Sequence, residues 1–204
     1  FEKYDGIRGF WNPSKKTFYS RLNDQLVFPQ DIVNQMPTDL FVDGELWYPP
    51  NLLRVLIPSF LFSLDGNKTR FGHDSFQEAM KVASARYITK VDWSKFKYMA
   101  FDIPNHPGTY EERYNALGFF LALPHCALTL YFLSVDYFAK HPCSFIEVAP
   151  KTLCQDTLHL EQFFQDVIDS GGEGIVLRNP TALYEHGKSP SFLKHKVTFP
   201  PFLS

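Results

Sequence analysis

The residues best equipped for chemistry stand at the beginning of the chain, in Lys3-Tyr4-Asp5-Gly6-Ile7-Arg8. The pattern Lys-x-Asp-Gly-x-Arg sets a primary amine beside a turn, with a second cation five residues on. An amine in that setting can attack a nucleotide phosphate and keep the phosphoryl group as a phosphoramidate. One short motif is a chance-prone match, so its meaning depends on whether complementary groups follow.

Four further groups follow in order. Glu45 lies in Val42-Asp43-Gly44-Glu45-Leu46-Trp47, at the end of a strand before the Pro49-Pro50 break, where a carboxylate can accept a ribose hydroxyl or hold a metal. Phe101, in Tyr98-Met99-Ala100-Phe101-Asp102-Ile103, is an aromatic at a strand end that can stack on a purine. Glu173 lies between two glycines in Gly172-Glu173-Gly174-Ile175-Val176-Leu177-Arg178, which lets backbone approach a ligand. Lys194 and Lys196 in Phe192-Leu193-Lys194-His195-Lys196 share one face of a strand because side chains alternate, and two ammonium groups on a face suit a triphosphate. Taken singly, each has a plainer use: a solvated strand-end acid, a core phenylalanine among 21 in the chain, a solvated basic face. Their order makes those plain readings less independent.

The elements that must position these groups are legible from punctuation and periodicity. Strands are predicted at Ile7 to Trp11 and Thr17 to Ser20, joined as a hairpin by Asn12-Pro13-Ser14-Lys15-Lys16. Further strands are predicted at Phe41 to Trp47, Tyr98 to Ile103, Phe145 to Ala149, Gly174 to Arg178 and Phe192 to Val197. Ser75 with Glu78, and Thr109 with Glu112, form capping boxes that open helices, the first running to about Ala85. From Leu160, residues Phe163, Phe164, Val167 and Ile168 follow a helical stripe that Gly171-Gly172 terminates. Strands and helices mix without regular βαβ alternation, which predicts an α+β fold with largely antiparallel sheets.

The ordered motifs resemble the covalent nucleotidyltransferases: ATP-dependent DNA ligases, RNA ligases and mRNA capping enzymes. Lys3 to Arg8 is similar to motif I, VDGEL to motif III, YMAFDI to motif IIIa, EGIVLR to motif IV and LKHK to motif V, a match spanning residues 3 to 196. EGIVLR has the ligase form of motif IV. Phe71 to Ala83, Thr109 to Leu117 and Thr181 to Lys196 resemble the minimal bacterial ATP-dependent DNA ligases called Lig E.

The resemblance implies two largely antiparallel sheets flanked by helices, the ligase/capping-enzyme (ATP-grasp-like) fold, with residues 1–204 forming one adenylation domain. It implies that Lys3 takes AMP from ATP and that Arg8, Arg21, Glu45, Phe101, Lys194 and Lys196 bind the nucleotide. Glu173, and Glu45 as an alternative to its ribose role, would hold Mg²⁺. Arg21 is similar to an arginine that ligases set near the ribose or the nick phosphate. Arg178 serves either the phosphates or a structural ion pair. AMP would pass to the 5′-phosphate of nicked duplex DNA; an RNA ligase, a capping guanylyltransferase and a catalytically idle nucleotide-binding module are the alternatives. The oligonucleotide-binding (OB) domain that usually follows motif V, with its motif VI, is absent from this chain. It is expected as a partner domain in a longer, monomeric protein, and residues 1–204 alone are expected to self-adenylate but seal weakly. A Lig E-type bacterial protein would be periplasmic, and a eukaryotic one would work in the nucleus or another DNA-containing compartment.

Bulk properties bound this reading. With 45% hydrophobic and 17% aromatic residues the chain has ample core for one domain, and a net charge of -2 means any nucleic-acid surface must be local. Cys126, Cys143 and Cys154 share no metal-ligand spacing and read as reduced, mostly buried thiols. Leu117 to Val135 contains no charged residue, but Pro124 and His125 at its middle favour a helix end joined to a buried strand over a membrane span. Leu52 to Arg70 reads as an apolar insertion.

Overall fold

Every second residue of Ile7–Asn12 points into the protein: Gly9 and Trp11 are buried, while Arg8 and Phe10 face the other way. That strand, β1, is the first of four that residues 1–49 build in a computed structural model describing residues 1–49, 79–80, 91–118 and 145–197. Strands β1, β2 (Thr17–Tyr19), β3 (Gln25–Leu26), β4 (Val42–Trp47), β5 (Lys97–Asp102) and β6 (Ile146–Val148) form one sheet in the order β3-β2-β1-β4-β5-β6. All neighbours are antiparallel except β5 and β6. A second sheet pairs β7 (Gly174–Arg178) with β8 (Phe192–Lys196), also antiparallel. The α+β expectation with largely antiparallel sheets holds.

Phe18, Trp11, Phe28, Tyr98 and Phe145 fill one face of the large sheet, with Phe18 and Phe28 rings 4.2 Å apart and Phe18 edge-on to Tyr98 at 5.1 Å. Trp11 donates its indole N–H to the Pro37 carbonyl at 2.7 Å, so even this buried ring has its polar atom satisfied. A short helix, α1 (Gln30–Gln35), lays Ile32 on this core. Neither α1 nor β3 is marked in the sequence by periodicity, since six and two residues are too few.

The predicted capping box at Thr109 and Glu112 is present: the Thr109 amide donates to Glu112 at 2.7 Å, and the Glu112 amide lies 3.4 Å from the Thr109 hydroxyl. It opens helix α2 (Tyr110–Gly118), whose first amides, Tyr110 and Glu111, donate to the Ala182 and Pro180 carbonyls beyond β7. Helix α3 (Thr157–Asp169) begins three residues before the predicted Leu160, because Asp156 caps it by accepting from the His159 amide at 2.8 Å. Gly171 and Gly172 close it, as expected, through amide bonds to Ile168 and Val167. The capping box at Ser75 and Glu78 and the segment Leu52 to Arg70 lie outside the described residues, as do Cys126, Cys143 and all but the first two residues of Leu117 to Val135. Among the described residues no helix is long and apolar enough to cross a membrane. Of the thiols expected to be reduced and mostly buried, Cys154 is free of any disulfide but exposed, just before α3.

The two sheets meet through Asp102, the last residue of β5, which is fully buried. Its Oδ1 accepts from Arg113 Nε of α2 at 2.6 Å, and its Oδ2 accepts from Arg113 at 3.2 Å and from Arg178 of β7. Arg113, also fully buried, donates from Nη1 to the Gly108 and Ala182 carbonyls at 2.8 and 3.3 Å. Removing the carboxylate strands two guanidiniums in low dielectric, which costs about 3–5 kcal/mol. Asp102→Ala is expected to lower the melting temperature by roughly 10 °C, measured by circular dichroism. A shift of a degree or two would show that the sheets are held together otherwise.

Candidate active site

Residues 1–3 pair with the small sheet and residues 7–12 with the large one. The Phe1 carbonyl accepts from the Val176 amide and the Lys3 amide donates to the Gly174 carbonyl, both at 2.8 Å. Tyr4 then buries its ring against Trp47 at 4.9 Å. Gly6 carries the chain past β4 so closely that a Cβ there would stand 2.0 Å from the Leu46 carbonyl oxygen. Lys3 therefore projects at the crossing between the sheets, anchored on both sides.

The Lys3 ammonium donates to Glu173 Oε2, and Lys196 Nζ lies 3.6 Å from the other oxygen of the same carboxylate. Glu173 can reach both because Gly174, at φ +151, brings β7 against β8; a Cβ at Gly174 would meet the His195 carbonyl at 2.3 Å. On the large sheet, Arg8 donates to both oxygens of Asp43, at 2.8 Å from Nε to Oδ1. The Tyr184 hydroxyl, from the loop between β7 and β8, lies 3.5 Å from the same carboxylate. The β1–β4 register places Arg8 opposite Glu45 and Phe10 opposite Asp43, so both acids share the face of Arg8.

Charge is unevenly settled here. Burial pushes the Glu45 carboxyl up to about 7, against the opposing pull of Lys3, Arg8 and Lys194. Partial burial lowers the Lys194 pKa, and repulsion from Lys3, Arg8 and Arg21 lowers it further, with Glu45 opposing. Lys3, Arg8, Glu45 and Lys194 are thus close enough to act on one another electrostatically. Arg21 differs: it is exposed in the turn after β2 and joins the group through its field at Lys194.

Phe101 is only 5% exposed; its ring stacks on Phe1 with centroids 5.8 Å apart, and the Arg8 guanidinium carbon is 5.5 Å from its centroid. The bulge between Asp43 and Gly44 sets Phe101 apart from the regular β4–β5 pairing. Arg178 resolves to the structural ion pair with Asp102. Among the described residues no three His, Cys, Asp or Glu side chains are grouped to hold a metal ion. Sequence reading gave no role to Asp43, Tyr184 or Arg113. Asp43 alone had a usable signal, since it sits two residues before Glu45 on one strand.

The Glu45 shift has a definite sign. The folded protein binds more protons than the unfolded chain between the ordinary value of 4.5 and about 7, so this group's contribution to stability is full below 4.5 and is lost as pH rises through 7. In chelator-treated protein, Glu45→Gln is expected to gain on the order of 2 kcal/mol relative to the parent between pH 5 and pH 8, measured by urea denaturation. Parallel pH profiles would show that Glu45 is ionised without cost.

The family described as ATP dependent DNA ligase domain matches residues 2–196. A curated DNA ligase of Haemophilus influenzae is 29% identical over 196 residues, covering 96% of this chain and 56% of that protein. Among solved structures, a Lig E DNA ligase superposes with a TM-score of 0.68 at 23% identity, over 96% of this chain and 60% of that one. Chlorella virus DNA ligase-adenylate gives 0.59 at 18% identity, with coverage of 96% and 60%. At these identities the structures establish the fold. The chain spans somewhat more than half the length of each of these relatives.

Proposed function

Because this chain belongs to the ATP-dependent DNA ligase domain family, we propose that it is the adenylation domain of a DNA ligase. In this reading it forms a covalent lysyl-AMP on Lys3 and passes the AMP to the 5′-phosphate of a nick in duplex DNA. The observation that carries the reading is the position of Lys3, fixed where the two sheets meet and surrounded by Glu173, Lys194, Lys196 and the Arg8–Asp43 pair.

The chemistry asks for a free amine. Lys3 must leave Glu173 and lose a proton; its nitrogen then bonds to the α-phosphorus of ATP as the bond to the bridging oxygen breaks and pyrophosphate departs. Lys194 and Lys196, on one face of β8, meet the negative charge that develops on the phosphates. Glu45 accepts a ribose hydroxyl, which a carboxyl titrating near neutrality does well in its ionised form. Phe101 offers its ring to the adenine once Phe1 or Arg8 shifts from it. Arg8, held by Asp43, and Arg21, on its exposed turn, address the ribose and the nick phosphate. Glu173, with Glu45 as second candidate, would hold Mg²⁺, which supplies neutralisation of the phosphate charge; one or two carboxylates suffice because water and phosphate oxygens complete its shell. A carboxylate already drawing two ammonium groups fits a cation. An OB domain elsewhere in a longer protein would complete the grip on DNA, and the protein would act as a monomer.

Lys3→Ala is expected to abolish covalent labelling by ATP carrying ³²P at the α-position while the circular dichroism spectrum is unchanged. Undiminished label in that variant would remove Lys3 from the reaction, and equal labelling by GTP would favour a capping enzyme. Glu173→Ala is expected to slow Mg²⁺-dependent labelling by roughly 10²-fold. An unaltered rate across a Mg²⁺ titration would make Glu173 purely structural.

A further inference from the structure

Phe192 stands opposite Arg178 in the β7–β8 ladder and two residues from Lys194 on the same face of β8. The Arg178 guanidinium carbon lies 4.9 Å from the centre of its ring, and Lys194 Nζ lies 5.6 Å from it. Arg178 also lies 4.1 Å from the Tyr110 ring centre and is bound to the buried Asp102. Aromatic and cationic groups thus alternate, Tyr110, Arg178, Phe192, Lys194, from the interior to the candidate site.

The neighbours of Lys194 make this order consequential. Lys3 and Lys196 are tied to Glu173, and Arg8 to Asp43. Lys194 is exposed and repelled by Lys3, Arg8 and Arg21. A four-carbon side chain under such repulsion swings into solvent unless something holds its ammonium. The electron-rich face of an aromatic ring within about 6 Å attracts a cation without neutralising it.

We infer that Phe192 is a positioning residue for the reaction proposed above, holding the Lys194 ammonium over its ring, aimed at the phosphates and still fully charged. The inference rests on the adenylation reading for its functional consequence, but the placement of Lys194 is independent of it. The ring is also held by Arg178, 4.9 Å from its centre and itself bound to Asp102.

The test uses the full-length protein with Phe192 replaced by phenylalanine analogues bearing one, two and three ring fluorines, which keep the shape while weakening the negative face. The maximal single-turnover rate of self-adenylation is expected to fall stepwise, reaching about three- to five-fold at the third fluorine, with the apparent ATP affinity changed less than about two-fold. Phe192→Leu should match the trifluorinated protein and Phe192→Tyr the parent. A flat fluorine series would overturn the proposal and leave Phe192 as packing. In nucleotide-free protein, the ε-methylene protons of Lys194 should show an upfield ring-current shift by NMR that Phe192→Leu abolishes. Unshifted protons would overturn it whether or not the protein adenylates, whereas a shifted Lys194 in a protein that takes no label would sink the adenylation reading alone.

Discussion

A single carboxylate, Asp102, holds together the three pieces that make the site possible. It ends β5 of the large sheet, takes two hydrogen bonds from Arg113 of α2, and takes another from Arg178 of β7. Charges this deep are costly to desolvate, and the cost is offset only when the geometry satisfies each group. Here Arg113 places Nη1 on two backbone carbonyls, and Ile103 gives its amide to Asp102 Oδ1 at 2.8 Å. The amides that open α2 bond to carbonyls after β7, so the same junction is sewn by backbone as well as charge. Such an arrangement favours one relative placement of the sheets over near alternatives that would leave a buried guanidinium unpaired.

The site inherits that placement. Its cations outnumber the acids that face them, and each acid is committed: Glu173 to Lys3 and Lys196, Asp43 to Arg8. Glu45, opposite Arg8 in the ladder, is pushed up to about 7 by burial and so titrates near neutrality. An excess of cations on one surface attracts anions, and the pairing with Glu173 and Asp43 keeps three of these cations in order. The net charge of -2 for the chain hides this local excess, since the acids are spread elsewhere.

Sequence reading recovered what is local or repetitive. Trp11, Phe18 and Tyr98 announced strands, Thr109 with Glu112 announced a helix, and the lysine pair at 194 and 196 announced a shared face. It placed Lys3, Glu45 and Glu173 in one site because their motifs travel together. It did not foresee that Asp43 would clamp Arg8 across 35 residues, or that Tyr184 would reach the same carboxylate. Those contacts follow from strand register, which no short window contains. Phe101 shows the same limit: its aromatic character was plain, but its burial against Phe1 and Arg8 depends on a bulge in β4–β5 pairing. Asp102 carries no signal of its own in the sequence, because its importance lies in partners from α2 and β7.

The short passage from Lys3 to Ile7 has a consequence for how this chain can vary. Before it, hydrogen bonds bind the backbone to Gly174 and Val176; after it, they bind to Leu46 and Glu45. The three residues between, Tyr4, Asp5 and Gly6, act as a fixed-length strut whose two ends are clamped in different sheets. Side chains along it can be exchanged where packing allows, but one residue more or fewer would reverse the direction in which Lys3 points or tear one ladder. Spacing, together with the glycine at position 6, is then what selection can least relax in this segment.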